Sequence, residues 1–353
     1  NEMTRAKLEV AVLAIVLAIF SMLFVMIGLS NLYSQAKAEQ VSGFEITFPS
    51  MGTLVSLQSY SDDPKRVEGA FAKTRSEIDR LVKIFSDYDE ESEARQLTTE
   101  EKINTWQPVS SEMWEVLSAS DEWNRLSNGA FDASVGQLSI LWRKARKANR
   151  IPSQAEIASS LKRCGWQYVE LDSKSKSIRI TLKDLRLDFG AIAKGYIIEQ
   201  AYRILASSGL PRSLVRAGGD LRCGDPPPGR DGWKIEIANV DNSGDPTSRF
   251  LISNAAISSS GDLHQYIEID GKRRSHVLDP KTGIGVEGPM MVTVVALNSL
   301  EADAADTTIC VLGHESGIAL AKKKPDLKVR IVSRDNAAGL RVSQSGFDTL
   351  VPI

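Results

Sequence analysis

The 353-residue chain has few of the residues that usually point to a function. Its three cysteines, Cys164, Cys223 and Cys310, are odd in number and lack metal-type spacing, which excludes a disulfide framework or a zinc site. Each has apolar or glycine neighbours and reads as a small buried thiol. There are only three histidines, and the contexts of His264 and His314 suggest no role. The net charge of −2 comes without a basic run, so the chain has no electrostatic footprint for nucleic acid. Internal repeats and low-complexity segments are missing too, and so is the G-x-x-x-x-G-K-[ST] spacing of a P-loop. What remains is ordinary globular composition, in a chain long enough for a large core and two lobes.

One long apolar run is present. Val10 to Leu29 is 20 residues without a charge, enough to cross a bilayer as a helix. Arg5 and Lys7 precede it, which orients the start to the cytoplasm and the rest outside. The run exceeds the roughly 7–15 apolar residues of a signal peptide, which favours a retained anchor. Ala36-Lys37-Ala38 keeps the alternative of a cleaved signal open. The expected organisation is a cytoplasmic segment 1–9, an anchor or signal 10–29, a polar tether 30–43 and a folded part 44–353. No cysteine near the end of the run offers a lipid attachment point.

Along the folded part, residues 44–60 read as strand, Pro-Ser-Met-Gly turn and strand. Val67, Phe71, Ile78, Leu81 and Ile84 have helical spacing over 64–85, and a second helix is predicted over 110–127. Ser153 and Glu156 form a capping box for a helix reaching about Lys162. Short strands follow, then a glycine-bearing turn and a helix from about Lys194. Residues 213–222 and 233–240 read as strands, Asp270-Gly271 as a hairpin turn, and "MMVTVVAL" as a buried strand. Helices and strands mix without βαβ repetition, so the class is α+β.

The segment Glu301–Gly313, "EADAADTTICVLG", raises a chemical question. On a helix, Asp303, Asp306 and Thr307 share one face. Either they complement the dipole at a helix N-terminus, or they are oxygen ligands for a hard cation above an apolar floor. Other stretches put glycine beside polar groups. Asp188 precedes a turn holding Gly190 and Gly195, and Gly218-Gly219-Asp220 reads as a close-approach loop or a bulge. Ser258–Asp262 reads as an anion-binding nest or a plain loop, and "SHVLDPKTG" carries His276.

In wording and order these stretches resemble the bacterial FAD:protein FMN transferase family, also called ApbE. The resemblance runs from Phe44 to Ile353 and takes in Met51-Gly52-Thr53, Tyr88, Gly129-Ala130-Phe131-Asp132 with Val135-Gly136, and Asp188–Tyr196. It continues through Gly218-Gly219, Ser258–Gly261, Ser275–Gly283 and Glu301–Thr307. It implies a two-lobed, T-fold-like α+β domain of mixed helices and antiparallel sheets, which the apolar run Val10–Leu29 would precede as one transmembrane helix. FAD would bind as substrate in the cleft, with Mg²⁺ held by the Ala191 carbonyl and by Asp303, Asp306 and Thr307. Flavin or nucleotide contacts would fall on Met51, Tyr88, Ala130, Phe131, Asp132, Asp188, Lys194 and Leu278, with His276 as catalytic base. The implied reaction moves FMN from FAD onto a Thr or Ser hydroxyl of an exported redox protein and releases AMP. The acceptor's motif, Ser/Thr-Gly-Ala-Thr/Ser after an acid, is absent from this chain, so self-flavinylation is not expected. FAD pyrophosphatase activity, or flavin binding without catalysis, are the alternatives.

Overall fold

The computed structural model describes residues 41–237, 248–261, 266–269, 272–335 and 339–353, with Met22, Leu23 and Met26. The remainder of the expected anchor lies outside the described residues, as do residues 238–240, Asp262, His264 and the Asp270-Gly271 turn. Among the described residues no helix is long and apolar enough to cross a membrane.

The helices are α1 (Pro64–Phe85), the single turn α2 (Glu93–Gln96), α3 (Ser111–Leu126), α4 (Gly136–Lys147), α5 (Gln154–Leu161), α6 (Ala193–Ser207) and α7 (Ser299–Ala321). Local chemistry explains their starts. Asp63 caps α1, Ser110 caps α3, and Ser153 with Glu156 closes the expected capping box on α5.

β1 (Ser42–Ser50) and β2 (Thr53–Ser61) form a hairpin whose turn residues, Met51 and Gly52, both have positive φ, 51° and 71°. β3 (Gln107–Pro108), β4 (Val169–Asp172) and β5 (Ser177–Ile180) form a small sheet of their own. β6 (Ser213–Ala217) and β7 (Asp220–Cys223) form a second hairpin, followed by β8 (Trp233–Ile237), β9 (Ser248–Ile252) and β10 (Ala255–Gly261). β11 (Tyr266–Ile269), β12 (Lys272–Leu278) and β13 (Gly285–Glu287) make a three-stranded sheet. β14 (Met290–Ala296), β15 (Lys328–Asp335) and β16 (Gly339–Ser345) follow, and β17 (Val351–Pro352) returns to β9. The main sheet has eight strands in the order β1-β2-β6-β7-β10-β14-β15-β16, every pair antiparallel.

Three expectations are corrected. Residues 213–222 are two strands folded back at Gly218-Gly219, because Gly218 adopts a left-handed φ of 60°. Ser258–Gly261 is neither loop nor nest but the end of β10, laddered to β14; its pairing with β7 stops at Ile257, and beyond it Ser259 N donates to the Asp220 carboxylate. The acids of α7 lie inside the helix, beyond its mouth: it starts at Ser299 and is capped by Asn298, whose Oδ1 accepts from Glu301 N at 2.9 Å. Asp303 and Asp306 lie past the first turn, where the dipole effect has faded, so dipole complementation does not explain them.

The two expected lobes share one principal apolar core, running from Phe48 and Val55 through Phe71, Ile198 and Ile309 to Ile331. α6 and α7 pack on each other within it. Their contact depends on Gly195. A Cβ at that position would lie 2.2 Å from the Ser299 carbonyl oxygen and 2.6 Å from the Asp303 Cβ. Gly195→Ala should therefore force the helices apart and cost about 1–3 kcal/mol in urea unfolding. Gly69→Ala on the exposed side of α1, where an added methyl meets nothing within 4 Å, should stabilise by up to ~1 kcal/mol.

Candidate active site

Antiparallel topology brings the glycine-bearing turns to one edge of the main sheet. Gly218 N donates to Leu54 O at 3.3 Å, which sets the β6–β7 turn beside the Met51-Gly52 turn. Across Gly219, the backbone oxygen of Ser259 marks the end of β10. Ser258 and Ser260 alternate with Ser259 on that strand and so share the opposite face. Ser260 Oγ donates to Asp306 Oδ1 at 3.0 Å and lies 3.3 Å from Thr307 Oγ1, so this face is turned to α7.

Asp303 and Asp306 are both buried, at 3% and 0% exposure, on a helix segment whose other residues are Ala302, Ala304, Ala305, Ile309 and Cys310 with the two threonines Thr307 and Thr308. Gly195 N donates to Asp303 Oδ2 at 2.7 Å. Burial pushes the Asp303 carboxyl up to about 7; Lys194 opposes the shift, the nearby Asp220 charge adds to it, and the Gly195 N–H opposes it. Asp306 is raised well above the ordinary carboxylate range by burial and by the charges of Asp220 and Asp303. Its Oδ2 is buried without a hydrogen-bond partner, as is Ser258 Oγ. Lys194 Nζ is 2.5 Å from Asp220 Oδ2. Burial works against that ammonium, yet Asp220 and Asp303 hold its pKa above the usual lysine value.

Among the described residues, no three His, Cys, Asp or Glu side chains form a metal-holding group. The resemblance calls for a different set: two carboxylates, a hydroxyl and a carbonyl. The residues fit that set. Two acids whose ionisation burial resists, one with an oxygen that makes no hydrogen bond, and the Thr307 hydroxyl beside them are hard oxygen donors that Lys194 offsets only in part. Ala191 lies in the turn just before α6, half-buried.

A second group of expected residues is linked to the first through the backbone. Asp188 N donates to Ala133 O at 2.8 Å, and Asp188 Oδ1 accepts from Gly190 N at 2.8 Å, which shapes the turn into α6. Asp132 Oδ1 accepts from Ser134 N at 2.7 Å and Oδ2 from Trp166 N at 3.2 Å, tying together two loops. Ala130 and Phe131 are buried, so their side chains pack in the interior. A cleft of about 470 Å³ opens beside them, lined by Gly129, Asp132, Trp166, Pro280 and Lys281 among others. Asp279 shapes the 279–284 loop there: its Oδ1 accepts from Lys281 N and its Oδ2 from Thr282 Oγ1, both at 2.9 Å. Leu278 packs on a small cluster with Leu138 and Trp142.

Tyr88 is exposed, with the Arg143 guanidinium over its ring at 4.4 Å, and Arg143 also pairs with Asp87. Met51 packs against the core from the first hairpin turn. His276 is exposed on β12, between buried Ser275 and Val277, and β12 packs against α7.

Sequence reasoning assigned no role to Asp220 or Glu199. Glu199, buried on α6, accepts from Ser299 N at 3.0 Å and from Arg222 Nε at 3.2 Å, and so caps α7 from outside its own chain segment. The only signal in the sequence was an acid at one position of an otherwise apolar helical face.

The antiparallel sheet, the buried acids beneath its edge and the turns around them define an α+β flavin-transferase fold. The same fold occurs in the solved Pseudomonas stutzeri flavinyl transferase ApbE, with a TM-score of 0.78 and 27% identity, over 88% of this chain and 98% of that one. The ApbE protein of Thermotoga maritima superposes with a TM-score of 0.76 at 28% identity, covering 87% of this chain and 98% of that one. The ApbE family model matches residues 51–331, so the chain belongs to the ApbE family. The FAD:protein FMN transferase of Escherichia coli K12 is 30% identical over 295 residues, 81% of this chain and 82% of the relative. The chain is accordingly an enzyme, a transferase.

The raised pKa values have a measurable consequence. A carboxyl whose folded pKa exceeds its unfolded value binds more protons when folded, so its contribution falls as pH rises from about 4 through about 7. In metal-free protein, Asp303→Asn should remove that fall and keep the acceptor for Gly195 N. Thermal melts should show the variant gaining stability over the parent at pH 8 and losing the advantage at pH 4.

Proposed function

We propose that the chain is a Mg²⁺-dependent FAD:protein FMN transferase. The observation that carries this reading is the buried Asp303–Asp306 pair with its orphaned oxygen, beside Lys194, in a member of the ApbE family. Asp303, Asp306, Thr307 and the Ala191 carbonyl would hold Mg²⁺, which when bound supplies positive charge to offset that of a pyrophosphate. The protein's own part is positional. Lys194 adds a fixed cation at the start of α6, and Met51, Tyr88, Asp132, Asp188 and Leu278 border the substrate from the surrounding turns.

The reaction is phosphoryl transfer. A Thr or Ser hydroxyl of the acceptor attacks the FMN-side phosphorus of FAD; that P–O bond forms as the bond to AMP breaks. His276, exposed on β12, takes the hydroxyl proton. An acceptor site open to solvent suits a substrate that is itself a folded protein, an exported redox protein carrying the Ser/Thr-Gly-Ala-Thr/Ser motif. The run Val10–Leu29, with Arg5 and Lys7 before it, would tether the catalytic part to the outer face of the cytoplasmic membrane.

Incubation with FAD, Mg²⁺ and an acceptor domain should give a fluorescent protein band that survives denaturing electrophoresis. Free FMN and AMP without a labelled band would mean hydrolysis instead. Asp303→Ala should abolish Mg²⁺-dependent turnover and leave the circular dichroism spectrum unchanged; turnover at the parental rate would refute the metal assignment. His276→Ala should slow transfer about a hundredfold while FAD affinity stays within about twofold. Equal losses in both would make His276 a binding residue.

A further inference from the structure

We propose that Asp220 is a positioning residue: it holds the Lys194 ammonium off Asp303 and Asp306 and so keeps that acid pair open to a divalent cation. The proposal rests on the divalent-cation reading of the pair.

Asp220 opens β7 directly after the Gly218-Gly219 turn and is 1% exposed. Both its oxygens face named partners. Oδ1 accepts from Ser259 N at 3.2 Å, fixing the carboxylate to β10, and Oδ2 lies 2.5 Å from Lys194 Nζ. A buried carboxylate needs such a partner, and a lysine on a flexible stem will pair with whichever buried anion is nearest and best oriented. Asp303 and Asp306 compete for it when ionised, since both also act on the same ammonium. The structure gives Lys194 to Asp220. Asp303 is left with the Gly195 N–H, and Asp306 with hydroxyls alone: Ser260 and Thr307 on Oδ1, and no hydrogen bond of good geometry on Oδ2, though the Ser258 hydroxyl favours its charged form. With all three carboxyls ionised, as a bound cation would have them, one ammonium leaves two formal negative charges, the amount one divalent cation neutralises.

If Asp220 loses its charge, Lys194 has only the two acids of α7 to turn to, and it becomes a competitor for the cation. Asp220→Asn is a suitable probe. Its one oxygen can still accept from Ser259 N, and the amide N–H₂ then replaces the oxygen that held the ammonium. The effect should disappear when the competitor is removed, which a merely structural role of Asp220 would not predict.

The test is isothermal titration of the full chain, in mild detergent, with MgCl₂, with and without FAD. Thermal melts confirm folding of each variant. Asp220→Asn should weaken Mg²⁺ binding about tenfold. Lys194→Met should bind Mg²⁺ at least as tightly as the parent, and the double variant should return to within about threefold of it. Parental binding by Asp220→Asn would overturn the proposal. So would a double variant as weak as Asp220→Asn, or weakened binding in Lys194→Met. If Asp220→Asn does not fold, Lys194→Met alone decides, by the same criterion. A parent chain that binds no Mg²⁺ with or without FAD would overturn the cation reading itself, and the role of Asp220 with it.

Discussion

Two carboxylates buried side by side in the interior of α7 are the constraint on which the site depends. Neither can be left charged in an apolar setting without strong compensation, because desolvation of an isolated anion costs far more than a typical fold can absorb. The surroundings supply compensation in small pieces. A backbone N–H comes from Gly195, a hydroxyl from Ser260, and a cation from Lys194 at one remove. These pieces are insufficient for full ionisation, and the raised pKa values of both acids express the shortfall. Two hydrophobic residues of similar size would pack there at less cost, and this deficit is what supports the proposed cation site.

That deficit explains features of the neighbouring elements that packing alone would not require. Alanines flank the acids on α7, so the helix lies close to β10, β14 and α6. Gly195 is the residue at the closest approach because even one methyl would enter the Ser299 carbonyl. The start of α7 is capped by Glu199 of α6 as well as by Asn298, so the same two helices that share the Gly195–Asp303 bond are joined again at the helix end. Rigid placement of charge is what phosphoryl transfer demands of a protein, because most of its catalysis lies in positioning and electrostatics.

Residues that the family resemblance groups together take different physical parts. Asp132 and Asp188 bind the backbone of their own turns and thereby join the Gly129–Ala133 loop to the segment leading into α6. Ala130 and Phe131 contribute buried side chains, and their backbone groups bond inward, Phe131 N to Ser127 Oγ and Phe131 O to the Asn124 amide. Tyr88 and His276 stand exposed. A motif therefore marks a place in the fold before it marks a contact with substrate.

Much of this was legible in the order of residues. Periodicity placed α1 at 64–85 because its apolar stripe is regular, and Ser153 with Glu156 announced α5 by a purely local bond pair. The Met51-Gly52 turn and the all-buried β14 followed from equally local signals. Among the unassigned elements, α4 has a short apolar stripe, Leu138, Trp142 and Ala145, on an otherwise basic segment, while β15 and β16 at the end of the main sheet are joined by register alone. The sequence by itself determined which oxygens share a helix face, since Asp303, Asp306 and Thr307 are related by helical spacing whatever they pack against. Only the tertiary structure decided that this face is buried, that Ser260 and Lys194 meet it, and that Asp220 stands behind the lysine. Charge balance is a property of distances in space, and residues 220 and 303 become neighbours only when the sheet and the two helices have closed on each other.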